Sequence, residues 1–351
     1  MYSEHLALEK WPASAQAGAY DSSNSAAIAT LPAGRQSRYI RVKLDSRKGA
    51  VIRTTEDFKG RKHAVIQAAH FLHRKRFVRK NVRDPMKEIS YIAAFPKSGI
   101  TYLNFMLFHI LFDRPQDARL IDSDYIFDLH ESLSRVPPPG ETPRYVKIHF
   151  PYSPRIPLRE RAARAVYLLR DPIDVMMSVW DFKHLTGEDG LLDASPADRA
   201  ALFQRFCQHW VTTGGLIYPW AGSWKDNIVS WLDQNDLPVL VVRYDQLKAQ
   251  PFEQLKRILN FLGREATDER IAAAIEAGKP DNMRKLESEE VDKGVPGVFY
   301  RPGLARGYAQ GFRFVGKMHG GSSEKVLSPA GRQYANQIFG PVMERARVRA
   351  G

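Results

Sequence analysis

One cysteine in 351 residues, Cys207, excludes any disulfide within the chain. It lies in the apolar stretch 202–211 and reads as a small buried hydrophobe; such sparing cysteine use suits a reducing compartment. No apolar run approaches the roughly 20 residues that a membrane-spanning helix needs. The first residues, MYSEHLALEKWPASAQAGAYDSS, show no basic start followed by an apolar core, so a secretory signal is not expected. These absences predict a cytoplasmic protein with no transmembrane segment. The G-x-x-x-x-G-K-[ST] loop of nucleoside triphosphatases is also missing. Residues 311–318 come close, but Met318 cannot supply the magnesium-binding hydroxyl. No cluster of Asp and Glu in the central stretch suggests a metal site, so none is expected.

What the chain has in excess is positive charge, +13 net, on a composition 44% hydrophobic that can bury a sizeable core. The excess is uneven: residues 61–87 carry nine Lys and Arg against the single acid Asp84. Basic clusters suit polyanions, and Phe58, Phe71 and Phe77 are available to stack or insert. The plainer reading is a helix over 61–80 with Val65, Ile66, Ala69, Leu72 and Phe77 on one side and a solvated basic face on the other. Nucleic acid is not expected as a partner, whereas peripheral contact with an anionic membrane through 61–87 is compatible with the pattern.

Three regions follow. Residues 1–37, rich in Ala, Ser and Gly, read as a disordered tail. Residues 38–88 read as a basic extension, with a hairpin from runs 39–44 and 50–55 before the helix. From 89 to 351 short apolar strands alternate with helices. Strands are expected at 89–95, 146–149, 165–169 and 238–243, and helices at 101–112, 172–182, 196–210, 252–262 and 268–277. That alternation predicts an α/β fold with a central parallel sheet flanked by helices, whose ligands bind beyond the carboxyl ends of the strands.

Three segments carry chemistry. In YIAAFPKSGITYL a strand meets a helix through Lys97-Ser98-Gly99, which offers backbone N–H groups at the helix N-terminus to an anion. Lys97 adds a charge, and Ser98 and Thr101 add hydroxyls. In YVKIHFPYSP, Lys147 and His149 sit two apart on a strand and so share a face, where a cation favours the neutral imidazole. In AVYLLRDPIDVMMSVWDF, Arg170 ends a strand and suits bidentate phosphate binding, with Ser178 two helical turns on. Each segment alone has an ordinary structural explanation: a solvated lysine, a satisfied histidine, an Arg170–Asp174 ion pair.

In this order and spacing the three resemble the sulfotransferases that use 3′-phosphoadenylyl sulfate (PAPS). FPKSGITY is similar to that family's 5′-phosphosulfate loop, RDPIDVMMSVWDF to its 3′-phosphate segment, and VKIHFP to the strand bearing its catalytic histidine. Agreement continues through GSWKDNIVSWLDQNDLPVLVVRYDQLKAQPFEQLKRILNFLG, so the resemblance covers about 89–290. It implies a single P-loop-like domain and transfer of a sulfuryl group from PAPS to a hydroxyl acceptor, without a metal. It also implies roles: Lys97 on the bridging and sulfuryl oxygens; Ser98, Gly99, Ile100 and Thr101 around the 5′-phosphate; Tyr102 where a tryptophan stacks on adenine. Arg170 and Ser178 bind the 3′-phosphate, Tyr244 is a further nucleotide contact, His149 is the general base and Lys147 supports charge on the transferring group.

The family's C-terminal Arg-Lys-Gly-x-x-Gly-x-Trp loop is echoed in GFRFVGKMHGGSSEKVLS, with Lys317 and Gly321 as its representatives and Arg313 as another candidate. Lys279-Pro280 replaces an adenine-stacking aromatic. The acceptor, a small molecule or carbohydrate, would be selected by loops 137–143, 184–193 and 294–311, of which the last two read as lids. The basic charge leans slightly towards an acidic or glycan acceptor. A nucleotide-dependent phosphotransferase would need the missing triphosphatase loop and a magnesium-binding acid. A nucleic-acid- or membrane-binding module would place the activity in 38–87. Oligomeric state is not legible.

Overall fold

The computed structural model describes residues 43–45, 49–51, 88–112, 126–129, 145–316 and 326–350. The tail expected at 1–37, the helix expected at 61–80, the loop 137–143, and Lys317 and Gly321 lie outside the described residues. The chain divides into two compact units. In the smaller, residues 10–73, strands β1 (Lys43–Asp45) and β2 (Gly49–Val51) pair antiparallel.

The larger unit is an α/β domain on five parallel strands: β3 (Ile89–Ala94), β4 (Ile126–Asp128), β5 (Tyr145–Ile148), β6 (Ala162–Leu169) and β7 (Val239–Arg243). Their order is β4-β5-β3-β6-β7. Helices α1 (Ile100–Leu111), α2 (Pro172–Thr186), α3 (Pro196–Thr212) and α4 (Trp224–Asp233) alternate with them. After β7 come α5 (Tyr244–Ala249), α6 (Pro251–Leu262), α7 (Asp268–Ala277), α8 (Pro280–Lys293), α9 (Ala305–Ala309) and α10 (Pro329–Ala350).

Both faces of the sheet are covered, which is why its strands read as nearly unbroken apolar runs. Ile92 and Ala94 of β3 join Val166 and Leu168 of β6 against Leu103 and Leu107 of α1 and Leu255 and Ile258 of α6. The alternate residues point the other way. There Tyr91 meets Trp231 edge-on and Phe95 meets Trp210, each with ring centroids 6.1 Å apart. Removing a Leu or Ile side chain from water on this scale is worth roughly 2 kcal/mol apiece. Cys207 is buried among them, as its apolar neighbours imply, and burial raises its thiol to about 12.

Helix starts follow the local signals. Asp171 accepts from Ile173 N and Asp174 N ahead of Pro172, and Ser195 accepts from Asp198 N ahead of Pro196. Several elements have no counterpart in the sequence reading. Strand β4 is only three residues long. Helix α8 begins at Lys279-Pro280, so the dipeptide that replaces an aromatic serves as N-cap and first helical residue. Helix α10 carries Pro341 inside it, a residue that ordinarily ends a helical pattern. Among the described residues no helix is long and apolar enough to cross a membrane.

The chain leaves β3 for β4 and β5 on one side, then crosses to β6 and β7 on the other. The carboxyl ends of β3, β5 and β6 therefore flank the point where strand order reverses, the place where open α/β sheets form a ligand crevice.

Candidate active site

The turn after β3 is built to expose backbone. Lys97 has φ 67° and Gly99 has φ 94°, both left-handed, and Gly99 caps α1 with no side-chain hydrogen bond. A Cβ at Gly99 would stand 2.4 Å from the Tyr244 ring, so only glycine passes here. No acidic residue lies in the first turn of α1 to neutralise its positive end. Ser98 Oγ is buried and has no hydrogen-bond partner. Ile100 is buried, whereas Thr101 and Tyr102 are half-buried on the opening turn.

Arg170 follows β6, the neighbour of β3. Its Nη1 donates to the Lys97 carbonyl at 3.1 Å, and its guanidinium lies 4.8 Å from the centre of the Tyr244 ring. Its Nε is buried without a partner. Tyr244 in turn meets Tyr102 edge-on, with centroids 6.1 Å apart. Ser178 is half-buried on α2. Two buried donors, Ser98 Oγ and Arg170 Nε, thus stand unsatisfied beside a cation and an uncapped helix N-terminus. Unsatisfied buried donors cost free energy unless a ligand meets them.

His149 follows β5, on the other side of β3. Its Nδ1 lies 2.7 Å from the Ala94 carbonyl, an oxygen that can only accept, so Nδ1 carries the proton and Nε2 the lone pair. Burial first, then Lys147 and Lys97, hold its pKa down to about 4 against the opposing pull of Asp128 and the Ala94 bond. Lys147 and Asp128 face each other in register across β5 and β4, their ion pair 2.8 Å long and almost wholly buried. Asn227 Nδ2 donates to the His149 carbonyl at 2.9 Å, and the Trp220 ring lies 6.5 Å from the imidazole.

A third layer comes from far along the chain. The Lys97 ammonium lies 4.2 Å from the centre of the Phe182 ring and 4.1 Å from that of Phe314. Buried Glu287 accepts from Phe314 N at 2.5 Å and Val315 N at 3.1 Å. Buried Glu290 accepts from Val298 N, Phe299 N and Tyr300 N at 2.8–2.9 Å. Sequence reading missed Asp128, Phe182, Glu287, Glu290 and Phe314. Nothing along α8 separates its two inward glutamates from its three other acids.

The remaining expectations can be placed. Arg313 donates to the backbone oxygens of Tyr308 and Phe312. His184 and Leu185, expected in a lid, are buried in the last turns of α2, and Leu191 is fully buried, whereas Asp189, Gly190 and Asp193 are exposed. The segment 294–311 carries α9 and hangs on Glu290.

An uncapped strand-to-helix turn, a neighbouring arginine and a histidine thus gather at the carboxyl ends of adjacent parallel strands, an arrangement suited to an anionic ligand. The profile of the family described as Sulfotransferase domain matches residues 88–345. The chain belongs to that family. It is 27% identical over 195 residues to Cytosolic sulfotransferase 8 of Arabidopsis thaliana, which covers 51% of this chain and 55% of that protein. It is 28% identical over 191 residues to Sulfotransferase 1A1 of Mus musculus, covering 51% and 61%. The chain thus spans less than two thirds of the length of either relative. Among solved structures, the mouse sulfotransferase SULT7A1 complexed with PAP superposes with a TM-score of 0.53 at 19% identity, covering 79% of this chain and 92% of that one. Retinol dehydratase in a complex with retinol and PAP gives 0.56 at 17% identity, covering 78% and 86%. At those identities the likeness concerns the fold.

Proposed function

We propose that the protein transfers a sulfuryl group from PAPS to a hydroxyl acceptor. The observation that carries this reading is the meeting of the Lys97 loop, Arg170 and His149 at one edge of the sheet, with Ser98 Oγ and Arg170 Nε buried and unpartnered. Those orphaned donors and the Gly99 cradle suit the phosphates of such a nucleotide. When bound, PAPS supplies the activated sulfuryl group.

Ser98, Gly99, Ile100 and Thr101 grip the 5′-phosphate through backbone and hydroxyl donors, and Lys97 moves from its aromatic seat to the sulfuryl oxygens. Arg170 and Ser178 take the 3′-phosphate. Tyr102 and Tyr244 flank the adenosine. His149 Nε2 accepts the proton of the acceptor hydroxyl as its oxygen bonds to sulfur, and adenosine 3′,5′-bisphosphate leaves. Positioning and charge stabilisation carry most of such a loose in-line transfer. Lys147, from within its pair with Asp128, adds to the burial that keeps His149 unprotonated at neutral pH.

Lys317 is a further nucleotide contact of this reading. Residues 301–308, Arg-Pro-Gly-Leu-Ala-Arg-Gly-Tyr, offer another counterpart of the family's Arg-Lys-Gly-x-x-Gly-x-Trp loop, with Arg301 and Gly303 in register and Tyr308 in place of the tryptophan. Tyr308, Leu304 and Leu185 pack together, which brings this loop against α2, the helix of Ser178.

The acceptor we favour is a hydroxyl on a planar or apolar body rather than an acidic glycan. Trp220 stands beside His149 and stacks on Tyr218, with centroids 5.5 Å apart. Retinol dehydratase has been solved with androsterone and with retinol, both apolar alcohols. The test is calorimetric titration with adenosine 3′,5′-bisphosphate and with ATP, followed by turnover of PAPS against phenols, apolar alcohols and sugars. Selective bisphosphate binding and sulfation of apolar alcohols are expected. A preference for ATP with magnesium would overturn the donor, and sulfation of sugars alone would overturn the acceptor class.

A further inference from the structure

The amino ends of the same strands hold a second cluster that the transfer reaction does not use. Tyr145, Ser90 and Arg164 occupy one row across β5, β3 and β6, since Ser90 registers with both neighbours. Side chains in such a row share a face. Arg264, just past α6, donates Nε to Tyr145 Oη at 2.9 Å, and Arg164 donates Nη1 to the Phe261 carbonyl at 2.7 Å. Together with Leu262 and Glu88 these residues line a cleft of about 340 Å³.

Two half-buried guanidiniums share this cleft, and each has one neutral oxygen as its hydrogen-bonding partner. Among the described residues neither lies within ion-pair distance of a carboxylate. Elsewhere in the larger unit many basic side chains do pair, as Arg159 does with Asp236 and Arg345 with Asp233. Two like charges held in one concavity repel each other and are desolvated without compensation, an arrangement that an anion relieves. Four residues of strand separate Ser90 from Ala94, which puts the cleft roughly 13 Å from the oxygen that orients His149.

We propose that Arg164 and Arg264 form a second anion site at the amino ends of the sheet, one that takes a phosphate or sulfate group, free or as the head of a small ester. The two guanidiniums supply the charge and forked N–H donors, and Ser90 and Tyr145 line the floor. Glu88, exposed at the mouth, opposes the anion and keeps affinity moderate.

The site is tested on the full chain with adenosine 3′,5′-bisphosphate present at saturation, and again in an Arg170→Ala background without it. Either arm separates this site from the transfer site, even should the nucleotide assignment fail. Inorganic phosphate and glucose 6-phosphate serve as probes, read by calorimetry. Wild type is expected to bind one further anion. Arg164→Gln and Arg264→Gln should each weaken it about tenfold, the loss of one charge-assisted contact. Glu88→Gln, an exposed change that leaves the fold intact, should tighten it about threefold. Stronger binding of the ester assigns an organic phosphate; equal binding assigns the free ion. No added binding in either arm, or binding indifferent to all three substitutions, overturns the proposal.

Discussion

The imidazole of His149 is anchored to the carbonyl of Ala94, 2.7 Å away on the neighbouring strand, and this bond decides which nitrogen is left to accept a proton. With the pKa held down to about 4, chiefly by burial, the ring is neutral throughout the physiological range. The acid limb of kcat/KM is therefore expected near pH 4 rather than 6.5, provided the fold survives there. The same depression makes a contribution to stability that is full above the unfolded value of 6.5 and is lost as pH falls through about 4. Urea titrations of wild type and His149→Ala across that window check the sign: the difference between them should change there and stay flat above it.

His149→Ala should lower kcat by roughly 10²–10⁴ and leave the affinity for adenosine 3′,5′-bisphosphate nearly unchanged, because a base acts in the transition state. Single-turnover kinetics beside calorimetry distinguish this from loss of binding. Full turnover by the variant would remove His149 from its role.

Asp128 and Lys147 push the His149 pKa in opposite directions. Lys147→Met should move the acid limb to higher pH, and Asp128→Asn should move it lower. Breaking the buried pair also costs stability, on the order of 3–5 kcal/mol for the variant that leaves the other charge uncompensated. The pH profiles carry the mechanistic part of this expectation, since a purely structural pair would leave both limbs in place.

Arg170→Ala should weaken bisphosphate binding about tenfold or more. Gly99→Ala should weaken it as well, and should cost about 1–3 kcal/mol in thermal unfolding, because the new methyl meets Tyr244 in a left-handed backbone. Lys183 offers a control: it is engaged in pairs with Glu188 and Asp189, and Lys183→Gln should leave bisphosphate affinity unchanged.

Glu290→Ala removes the acceptor of three backbone N–H groups and should loosen 298–300 together with the segment that carries Phe314. Limited proteolysis between residues 295 and 316 should accelerate, with turnover falling more than global stability does.

Much of this site was legible because its signals are local. A lysine and a glycine around one serine at a strand end, an arginine before Asp-Pro, and a histidine two residues after a lysine can all be read from neighbours in sequence. What escaped the reading depends on distance in sequence. Asp128 matters through its register with Lys147 on another strand, and β4 is too short to show a period. Phe314 meets Lys97 from a backbone that Glu287 holds, far along the chain from either. The Arg170–Asp174 pair that sequence proximity suggested gives way to a bond from Arg170 to the Lys97 carbonyl. Glycine content at 184–193 likewise does not show that Leu185 and Leu191 on either side of the exposed Asp189-Gly190 tip are core residues.

The end of β3 organises its surroundings through main-chain oxygens: Ala94 holds His149, Phe95 accepts from Ser98 N, and Lys97 holds Arg170. A peptide carbonyl is the same whatever side chain it carries. Substitutions at 94 and 95 that keep the strand apolar can therefore accumulate without moving the histidine or the arginine. Divergence within this fold can thus run far in sequence while the reacting groups stay where they are.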